Sequence, residues 1–298
     1  MMADAVAGLD ADVECEIVAL ETTGDVIKDR PLRDAGGKGL FVKELDEALL
    51  DGRIDFAVHS FKDVPTELPP GIEIAAVPER ADPRDALVSL QGWTLAGLPE
   101  GAVIGTSSLR RSAQLLAARP DLRIVLLRGN VQTRLARLQS GDIHATFLAA
   151  AGLDRLGSDI SPARRVELGD ADMIPAPAQG ALALTVRSED QRTPGLLTGL
   201  ESADARICVE AERALATVMG GSCHLPLGAY ASISETILHL TAIVCSADCT
   251  RVVRDTASSV AAATEAAAAR SLGRALGERM LEAGAGEILR EVEAESRR

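Results

Sequence analysis

The sequence predicts an α/β protein: two α/β domains with a cleft between them, followed by a small α+β domain. Short β-branched runs alternate with helical patterns over the first two thirds of the 298 residues, which is typical of α/β architecture. Two segments rich in proline divide that region. From about Ser202, strands and helices follow one another without the crossover pattern of a parallel sheet.

The composition is that of a soluble globular protein, with 47% apolar and 25% charged residues. Only 2% of the residues are aromatic, so we expect a core of Ala, Leu, Val and Ile. Met1–Glu16 is acidic and lacks the charged-then-apolar pattern of a secretion signal. Because no apolar run approaches the ~20 residues of a membrane-spanning helix, we expect a cytoplasmic protein that does not contact a membrane.

The two α/β domains are predicted from their alternating elements. In the first domain we expect a strand over Glu16–Leu20, a helix over Leu40–Leu50 and a strand over Ile54–Val58. A βαβαβ module follows, and it favours a parallel sheet. Its elements are strand Ala102–Gly105, a helix capped by Ser107 or Ser108 and ending at Ala118, strand Arg123–Leu127, helix Val131–Leu138, strand Ala145–Leu148 and helix Ala150–Leu156.

The proline-marked segments Val77–Pro83 and Ile174–Gly180 predict two chain crossings between these domains. The strand Ala181–Val186 then returns to the first domain. This organisation is that of periplasmic-binding-protein-like folds, which bind a ligand in the interdomain cleft and bend at the crossings. We therefore expect one domain from residues 1–78 and 180–200, a second from 79–179 and a third from 201–298.

The third domain is predicted from a different pattern. We expect helix Ser202–Val218, strands Ile237–Val244 and Arg251–Val253, and an alanine-rich helix over Ala261–Glu282 that Gly284–Gly286 separates from a last helix. Cys245 and Cys249 could form half a metal site, but no nearby Cys or His pair completes it. They flank a hairpin turn instead, so we predict no metal. The five cysteines form no disulfide framework in a reducing compartment.

The charge is uneven along the chain. The net charge of −13 argues against binding to nucleic acid or to an anionic membrane. The stretch from Gly105 to Ser140 nevertheless holds seven arginines and a single acid, Asp121. It is either a local site for a small polyanion or a solvated basic helix face, and the charge pattern alone leaves both interpretations open.

Candidate functional residues occur in four segments. His59–Pro65 follows a predicted strand, at the sheet edge where α/β folds bind ligands, and its Asp63 could stabilise a cation or form an ordinary turn. Thr106–Arg111 places hydroxyls, N–H groups and two guanidiniums at a helix N-terminus, which attracts carboxylate or phosphate. Arg128 and Arg134 can converge on the same edge.

The other two segments are rich in glycine. Gly36–Gly39 lacks the spacing of a phosphate-binding loop, and three glycines in four positions favour a flexible loop over a cleft. Gly220–Pro226 places the Cys223 thiol in a loop. Most free cysteines are small buried hydrophobes, so this thiol alone does not indicate catalysis.

Together the segments and their order resemble the porphobilinogen deaminase family from about Glu21 to the C-terminus. The matching segments are Gly36–Glu44, His59–Pro65, Asp82–Ala86, Gly105–Arg111, Leu127–Val131, Ala150–Gly157, Gln179–Ala181 and the Cys223 loop. The resemblance implies stepwise head-to-tail condensation of four porphobilinogen molecules, with loss of ammonia, to hydroxymethylbilane. It also implies a monomer.

The resemblance assigns roles to individual residues. Cys223 matches the thiol that holds the dipyrromethane cofactor through a thioether, and Asp63 matches the catalytic carboxylate. The residues that match contacts to cofactor carboxylates are Lys38, Lys62, Ser108, Arg110 and Arg111. Those that match contacts to the incoming ring and the growing chain are Phe41, Arg128, Arg134, Arg155 and Gln179.

The chain departs from the family pattern at its start. Family members open with a Gly-Thr-Arg-x-Ser-x-Leu-Ala strand and a helix, and we find neither, so we expect the natural protein to begin upstream. Asp34 stands where some relatives carry lysine. Two alternatives stay open: a truncated inactive relative, and a non-enzymatic two-domain carboxylate-binding protein, which would not need Cys223 or Asp63.

Overall fold

A computed structural model describes residues 1–23, 42–157, 160–221, 225–260 and 266–296. Three sheets organise this part of the chain. The strands are β1 Phe56–Ser60, β2 Ile72–Ala76, β3 Asp85–Ser89, β4 Val103–Gly105, β5 Arg123–Val125, β6 Ala145–Ala149, β7 Arg164–Glu167, β8 Leu182–Arg187, β9 Leu227–Ser234, β10 Ile237–Cys245 and β11 Val252–Val260. The helices are α1 Met2–Ala7, α2 Lys43–Leu50, α3 Leu109–Ala118, α4 Val131–Gln139, α5 Ala150–Leu156, α6 Thr193–Leu197, α7 Ala203–Val218, α8 Ala266–Met280 and α9 Gly286–Ser296.

The first sheet has the strand order β1-β8-β2, and β8 is antiparallel to both neighbours. β8 is buried along most of its length because helices and the N-terminal segment cover it. Its Leu184 and Val186 pack with Ala76, Leu197 and Val6 of α1. The chain thus returns to the first sheet after it has completed the second, as the proline-marked crossings predict.

The prediction of a strand over Glu16–Leu20 is wrong. This segment has no regular secondary structure, and the Ile17 side chain is 80% exposed. A strand forms only where another strand supplies backbone partners, and no strand in the described residues pairs with this segment. Instead, the short helix α1 buries Val6 against the first sheet. This helix was not predicted from the sequence.

The second sheet has the order β5-β4-β6-β3-β7. The predicted βαβαβ module is confirmed, because β4 is parallel to both β5 and β6. The expectation of a parallel sheet holds only for these three strands: β3 runs antiparallel to β6 and to β7. As a result β3 begins, at Asp85, beside the end of β6 at Ala149.

Two crossings, residues 77–84 and 168–181, join the first and second sheets. They touch where the Ala81 N–H donates to the Gly180 carbonyl at 3.3 Å. Gly180 has φ +87°, and a Cβ at this position would lie 2.5 Å from the Ala81 oxygen. Only glycine combines that conformation with so close an approach of two backbones.

The third sheet is the antiparallel meander β11-β10-β9, covered by α7 and α8. The predicted helix over Ser202–Val218 is confirmed as α7, and the Ser202 hydroxyl caps it by accepting from the Ala205 N–H at 3.4 Å. The hairpin turn between Cys245 and Cys249 is confirmed too, although β11 extends well past the predicted strand. Gly284, at φ 106°, breaks the last two helices apart as expected.

No helix in the described part of the chain is both long and apolar enough to cross a membrane. Among the same residues, no group of three or more His, Cys, Asp or Glu side chains has the geometry to hold a metal ion.

Candidate active site

The His59–Pro65 segment lies at the end of β1, as predicted. β1 finishes at Ser60 and the chain enters a 3-10 turn over Phe61–Asp63. Phe61, which is 1% exposed, anchors the turn in the core, whereas Asp63 is exposed at its end. The turn therefore presents the Asp63 carboxylate outward on a fixed backbone. Asp63 itself takes part in a polar or electrostatic interaction.

The N-terminus of α3 supplies a second group of site residues. β4 ends at Gly105, and Ser108 is the residue that caps the helix, its hydroxyl accepting from the Arg111 N–H at 3.4 Å. Arg110 and Arg111 occupy the first turn. Both are buried, at 5% and 6% exposure, so the solvated-face interpretation is wrong for this pair.

Asp85, at the start of β3, is the acidic partner of both arginines. Arg110 contacts the Asp85 carboxylate at 2.7 Å and also donates to the Ile174 carbonyl at 2.7 Å. Arg111 contacts the same carboxylate at 2.7 Å and donates to the Phe147 carbonyl at 3.0 Å. The Asp85 side chain is fully buried. The antiparallel direction of β3 makes this possible, because it places the strand's first residue at the edge where β4 and β6 end.

Asp85 remains ionised in this setting. Burial raises the pKa of the Asp85 carboxyl, but the charges of Arg110 and Arg111 outweigh burial and hold the pKa well below its usual range. Asp85 lies in the Asp82–Ala86 segment of the family resemblance, but no role was predicted for it. A strand beginning at Asp85 would have indicated that its side chain lies at the sheet edge beside Arg110 and Arg111, and no strand was predicted there.

Gln179 links the two α/β units through the second crossing. Its Oε1 accepts from Lys62 Nζ at 3.3 Å, and its Nε2 donates to Asp85 at 3.2 Å and to the Pro83 carbonyl at 2.8 Å. The Gln179 residue is 1% exposed. The structure thus places Gln179 at the predicted crossing, inside a polar chain from Lys62 to Asp85.

Electrostatic effects show how close these groups lie. Burial lowers the pKa of Lys62 to about 8, while Asp63 raises it and Arg111 lowers it further. The pKa of Lys62 is thus affected both by the exposed Asp63 carboxylate and by the arginines of α3. Because Gln179 contacts both Lys62 and Asp85, and Asp85 contacts Arg111, the ends of β1 and β4 form one site.

Arg134 and Arg128 extend the positive charge. Burial lowers the pKa of Arg134 to about 10, and the like charges of Arg111 and Arg128 lower it further. The Arg134 Nε donates to the Gly129 carbonyl at 3.0 Å, which holds the side chain beside Arg128. These charge effects are those expected if the arginines converge on one edge of the sheet, as predicted.

The arginine-rich segment divides between this site and the surface. Arg119 pairs with Asp121 at 2.7 Å, and Arg137 pairs with Asp142 at 2.9 Å, both at the surface. Arg123 is exposed. For Arg123 and Arg137 the interpretation as solvated surface charge is correct, whereas Arg119 is half-buried and also donates to the Leu95 and Leu98 carbonyls.

Arg155 approaches from α5, where its guanidinium donates to the Gly180 carbonyl at the second crossing. Burial lowers the pKa of Arg155. Lys38, Phe41 and Cys223 lie outside the described residues. In the described part of the site, Lys62 interacts with Asp63, and Arg110 and Arg111 pair with Asp85. Arg134 and Arg128 add positive charge near Arg111.

This donor set fits a ligand that carries several carboxylates. Guanidinium groups bind carboxylates with paired N–H donors, and the Asp85 contacts use only part of the five N–H groups that each guanidinium carries. The fold and the site therefore define an α/β protein with donors suited to a polycarboxylate ligand, beside an exposed carboxylate, where the two α/β units meet.

Comparison with known proteins agrees with that class. Residues 1–194 match the family model "Porphobilinogen deaminase, dipyromethane cofactor binding domain", and residues 206–282 match "Porphobilinogen deaminase, C-terminal domain". A porphobilinogen deaminase from Chromobacterium violaceum is 48% identical over 282 residues, 95% of this chain and 89% of that protein. One from Nitratidesulfovibrio vulgaris is 46% identical over 288 residues, 96% of this chain and 90% of that protein.

The chain belongs to the porphobilinogen deaminase family. It is accordingly a transferase that condenses porphobilinogen to hydroxymethylbilane, and it contains the domain that binds the dipyrromethane cofactor. Similar solved structures include a periplasmic binding protein of Salmonella typhimurium with high arginine specificity, at 14% identity and TM-score 0.38, covering 66% of this chain and 78% of that one. Another is an ancestral arginine-binding protein, at 15% identity and TM-score 0.36, covering 67% and 77%.

Proposed function

We propose that Asp63 is the catalytic carboxylate of this enzyme. The observation that carries the proposal is its position: an exposed carboxylate on a rigid turn, next to a cluster of buried and half-buried cations. The cations attract the carboxylates of the substrate, and Asp63 is the exposed negative charge at this site that can face a developing cation.

The chemistry requires such a charge. Loss of ammonia from porphobilinogen leaves an electron-poor, cationic ring, and a fixed anion beside it lowers the energy of the transition state. The dipyrromethane cofactor, when bound, supplies the nucleophilic pyrrole carbon. An ionised carboxylate only accepts hydrogen bonds, so Asp63 also suits the N–H groups of pyrrole rings, which only donate.

The basic residues divide into two groups in this proposal. Lys62, Ser108, Arg110 and Arg111 hold carboxylates of the cofactor, together with Lys38, while Asp85 fixes the two arginines in place. The group that receives the incoming ring and the lengthening chain is Phe41, Arg128, Arg134, Arg155 and Gln179. The half-buried position of Arg134 supports the second group, since the like charges of Arg111 and Arg128 act on it and a nearby anionic ligand would offset that repulsion.

We assign covalent attachment of the cofactor to Cys223, in the loop that follows α7. We also propose three domains, with residues 1–78 and 180–200 in the first, 79–179 in the second and 201–298 in the third. The three separate sheets support this division. A monomer in the cytoplasm that binds no nucleic acid is consistent with the net charge of −13 and with a small-molecule substrate.

Asp63→Asn tests the catalytic assignment. The variant removes a charge with little change in shape, so turnover per cofactor-loaded molecule should fall about 100- to 1,000-fold while the melting temperature stays unchanged. The matched control is Glu67→Gln, an exposed carboxylate in the same loop, which should keep normal turnover. Near-normal turnover of Asp63→Asn would defeat the role that we give to this carboxylate.

Cys223→Ala tests the attachment. The intact mass of the denatured chain should exceed the sequence mass by one dipyrrole, and the variant should lose that excess. Cys15→Ala, which changes a partly exposed thiol elsewhere in the chain, should retain it. A dipyrrole that remains bound to denatured Cys223→Ala would contradict the thioether.

A further inference from the structure

Arg213 reaches from α7 to the turn that carries Asp63. One of its terminal nitrogens donates to the Val64 carbonyl at 2.9 Å, and the other donates to Pro65 at 2.6 Å and to Thr66 at 3.3 Å. Its guanidinium carbon lies 4.6 Å from the centre of the Phe61 ring, a cation–π distance. Arg213 thus contacts the backbone just after Asp63 and the aromatic anchor just before it.

The charge of Arg213 is offset at a distance by Glu210 on the same helix. In the described part of the chain it forms no salt bridge, and three carbonyl oxygens are its hydrogen-bond acceptors. Burial lowers the pKa of Arg213 to about 10. Burying an arginine whose hydrogen bonds all go to backbone oxygens costs desolvation energy. We therefore attribute the role of Arg213 to fixing the position of the backbone segment that it contacts.

The same segment touches the start of the cysteine loop. α7 is followed by Gly221, whose N–H donates to the Ala216 carbonyl at 2.8 Å. Gly221 has φ +65°, and a Cβ here would lie 2.4 Å from the Thr66 hydroxyl oxygen. Thr66, whose carbonyl Arg213 holds, is therefore in direct contact with the chain two residues before Cys223.

We propose that Arg213 is a positioning residue, which sets the place of the Asp63 carboxylate relative to α7, the helix that precedes Cys223 in the chain. The inference rests on the proposed roles of these two residues. Asp63 and Cys223 belong to different parts of the chain, and the reaction needs the reacting atoms aligned within a few tenths of an ångström. Arg213 connects the Asp63 turn directly to the helix that leads into the cysteine loop.

The test compares Arg213→Gln and Arg213→Lys with a control on the same helix. Arg206, seven residues earlier, also joins α7 to the first sheet, through Glu201 at 2.8 Å and the Ile74 carbonyl at 3.4 Å. We expect Arg213→Gln to lower kcat per cofactor-loaded molecule about 10- to 100-fold, with KM within about twofold. Arg213→Lys keeps the charge and should recover part of kcat, while Arg206→Gln should leave kcat unchanged.

Cofactor loading, measured by intact mass, separates positioning from a purely structural role. If Arg213 only held α7 in place, Arg213→Gln and Arg206→Gln would both lower the melting temperature and the loaded fraction, with normal kcat per loaded molecule. That result would overturn the proposal, and so would a large rise in KM for Arg213→Gln alone.

A double-variant cycle tests whether Arg213 acts through Asp63. Once Asp63→Asn has removed the carboxylate, adding Arg213→Gln should cause little further loss of kcat. Multiplying losses would mean that Arg213 acts elsewhere and would contradict the inference. If Asp63→Asn alone kept normal turnover, the proposed catalytic role itself would fail, which is a different outcome from multiplying losses.

Discussion

At the scale of single residues, Asp85 shows how one carboxylate can shape a basic site. It is fully buried, and it holds two arginines in orientations that each also satisfy a backbone carbonyl. Its negative charge reduces the repulsion among the cations, so they can gather before any ligand binds. Preorganised charges of this kind avoid part of the entropy cost of ordering side chains on binding.

Asp46 on α2 is the opposite case, a carboxylate for which the described residues provide no partner. It is 9% exposed, lines a cavity of about 430 Å³ between α2 and residues 65–69, and has no hydrogen-bond partner for its side chain among the described residues. Burial raises the pKa of the Asp46 carboxyl to about 6. At neutral pH the protein therefore carries a buried charge that destabilises it.

We predict that Asp46→Asn stabilises the protein at pH 7.5 by about 1–2 kcal/mol, after allowance for solvent screening. The folded pKa lies above the unfolded value, so proton uptake favours the folded state fully below pH ~4, and this contribution is lost as the pH rises through 6. The gain from Asp46→Asn should thus shrink between pH 7.5 and pH 4.5 in urea unfolding. Glu47→Gln, an exposed neighbour, is the control, and a gain independent of pH would contradict the prediction.

The sequence predicted single residues well where a short motif determines their place. Asp63 follows the end of a strand and Ser108 caps a helix, and both relations are local. Asp85 and Arg213 were missed because their partners are 25 to 149 positions away. Such contacts depend on strand order and helix packing, which no local pattern encodes.

At the scale of elements, helices matched their predictions more closely than strands did. α5 and α7 have strong apolar periodicity or clear caps within their own segments. The segment Glu16–Leu20 has the composition of a strand, yet no described strand pairs with it, so it forms no strand. A strand needs a neighbour that only the tertiary structure supplies, and the antiparallel insertion of β3 beside β6 escaped prediction for the same reason.

The packing of α7 on α8 depends on a close approach at Gly273. A Cβ at this position would lie 2.1 Å from the Ala211 carbonyl oxygen and 3.1 Å from the Ala214 Cβ. The two helices can pack at this distance only because Gly273 has no side chain. Ala211 and Ala214 belong to the same helix as Arg213, so a shift here also moves the contact to the Asp63 turn.

We predict that Gly273→Ala lowers the free energy of unfolding by about 1–3 kcal/mol, because overpacking forces the helices apart. Gly152→Ala is the matched control. Gly152 also lies inside a helix, α5, but a Cβ there would meet nothing within 4 Å, so alanine should be neutral or stabilise by up to about 1 kcal/mol. Equal effects of the two substitutions in urea unfolding would rule out a close contact at Gly273.

At the scale of the whole molecule, Glu212 joins three parts of the structure. It lies on α7 and is fully buried; it pairs with Arg80 of the first crossing at 2.7 Å and accepts from the Ala231 N–H of β9 at 2.7 Å. It also accepts from the Ala178 N–H of the second crossing. Arg80 in turn donates to the Gln179 carbonyl at 2.9 Å. The Arg80–Glu212 ion pair and its hydrogen bonds thus connect both crossings to α7 and to the third sheet.

We predict that Glu212→Gln lowers the free energy of unfolding by about 3–5 kcal/mol, because it leaves the Arg80 charge buried without its partner. Glu210→Gln on the same helix removes a more exposed pair with Arg270, at 3.2 Å, and should change stability by less than about 1 kcal/mol. Denaturant midpoints of the two variants provide the comparison. Similar midpoints would mean that the buried pair does not hold the crossings.

The position of β8 in the first sheet has a consequence for the newly made chain on the ribosome. β1 and β2 are not adjacent, and β8 must enter between them before the sheet can form. β1 ends at Ser60, but β8 begins at Leu182, so synthesis must continue for roughly 6 to 25 s before the middle strand exists. All the strands of the second sheet are made in that interval. The first sheet, whose outer strands β1 and β2 are translated first, is therefore completed after the second sheet.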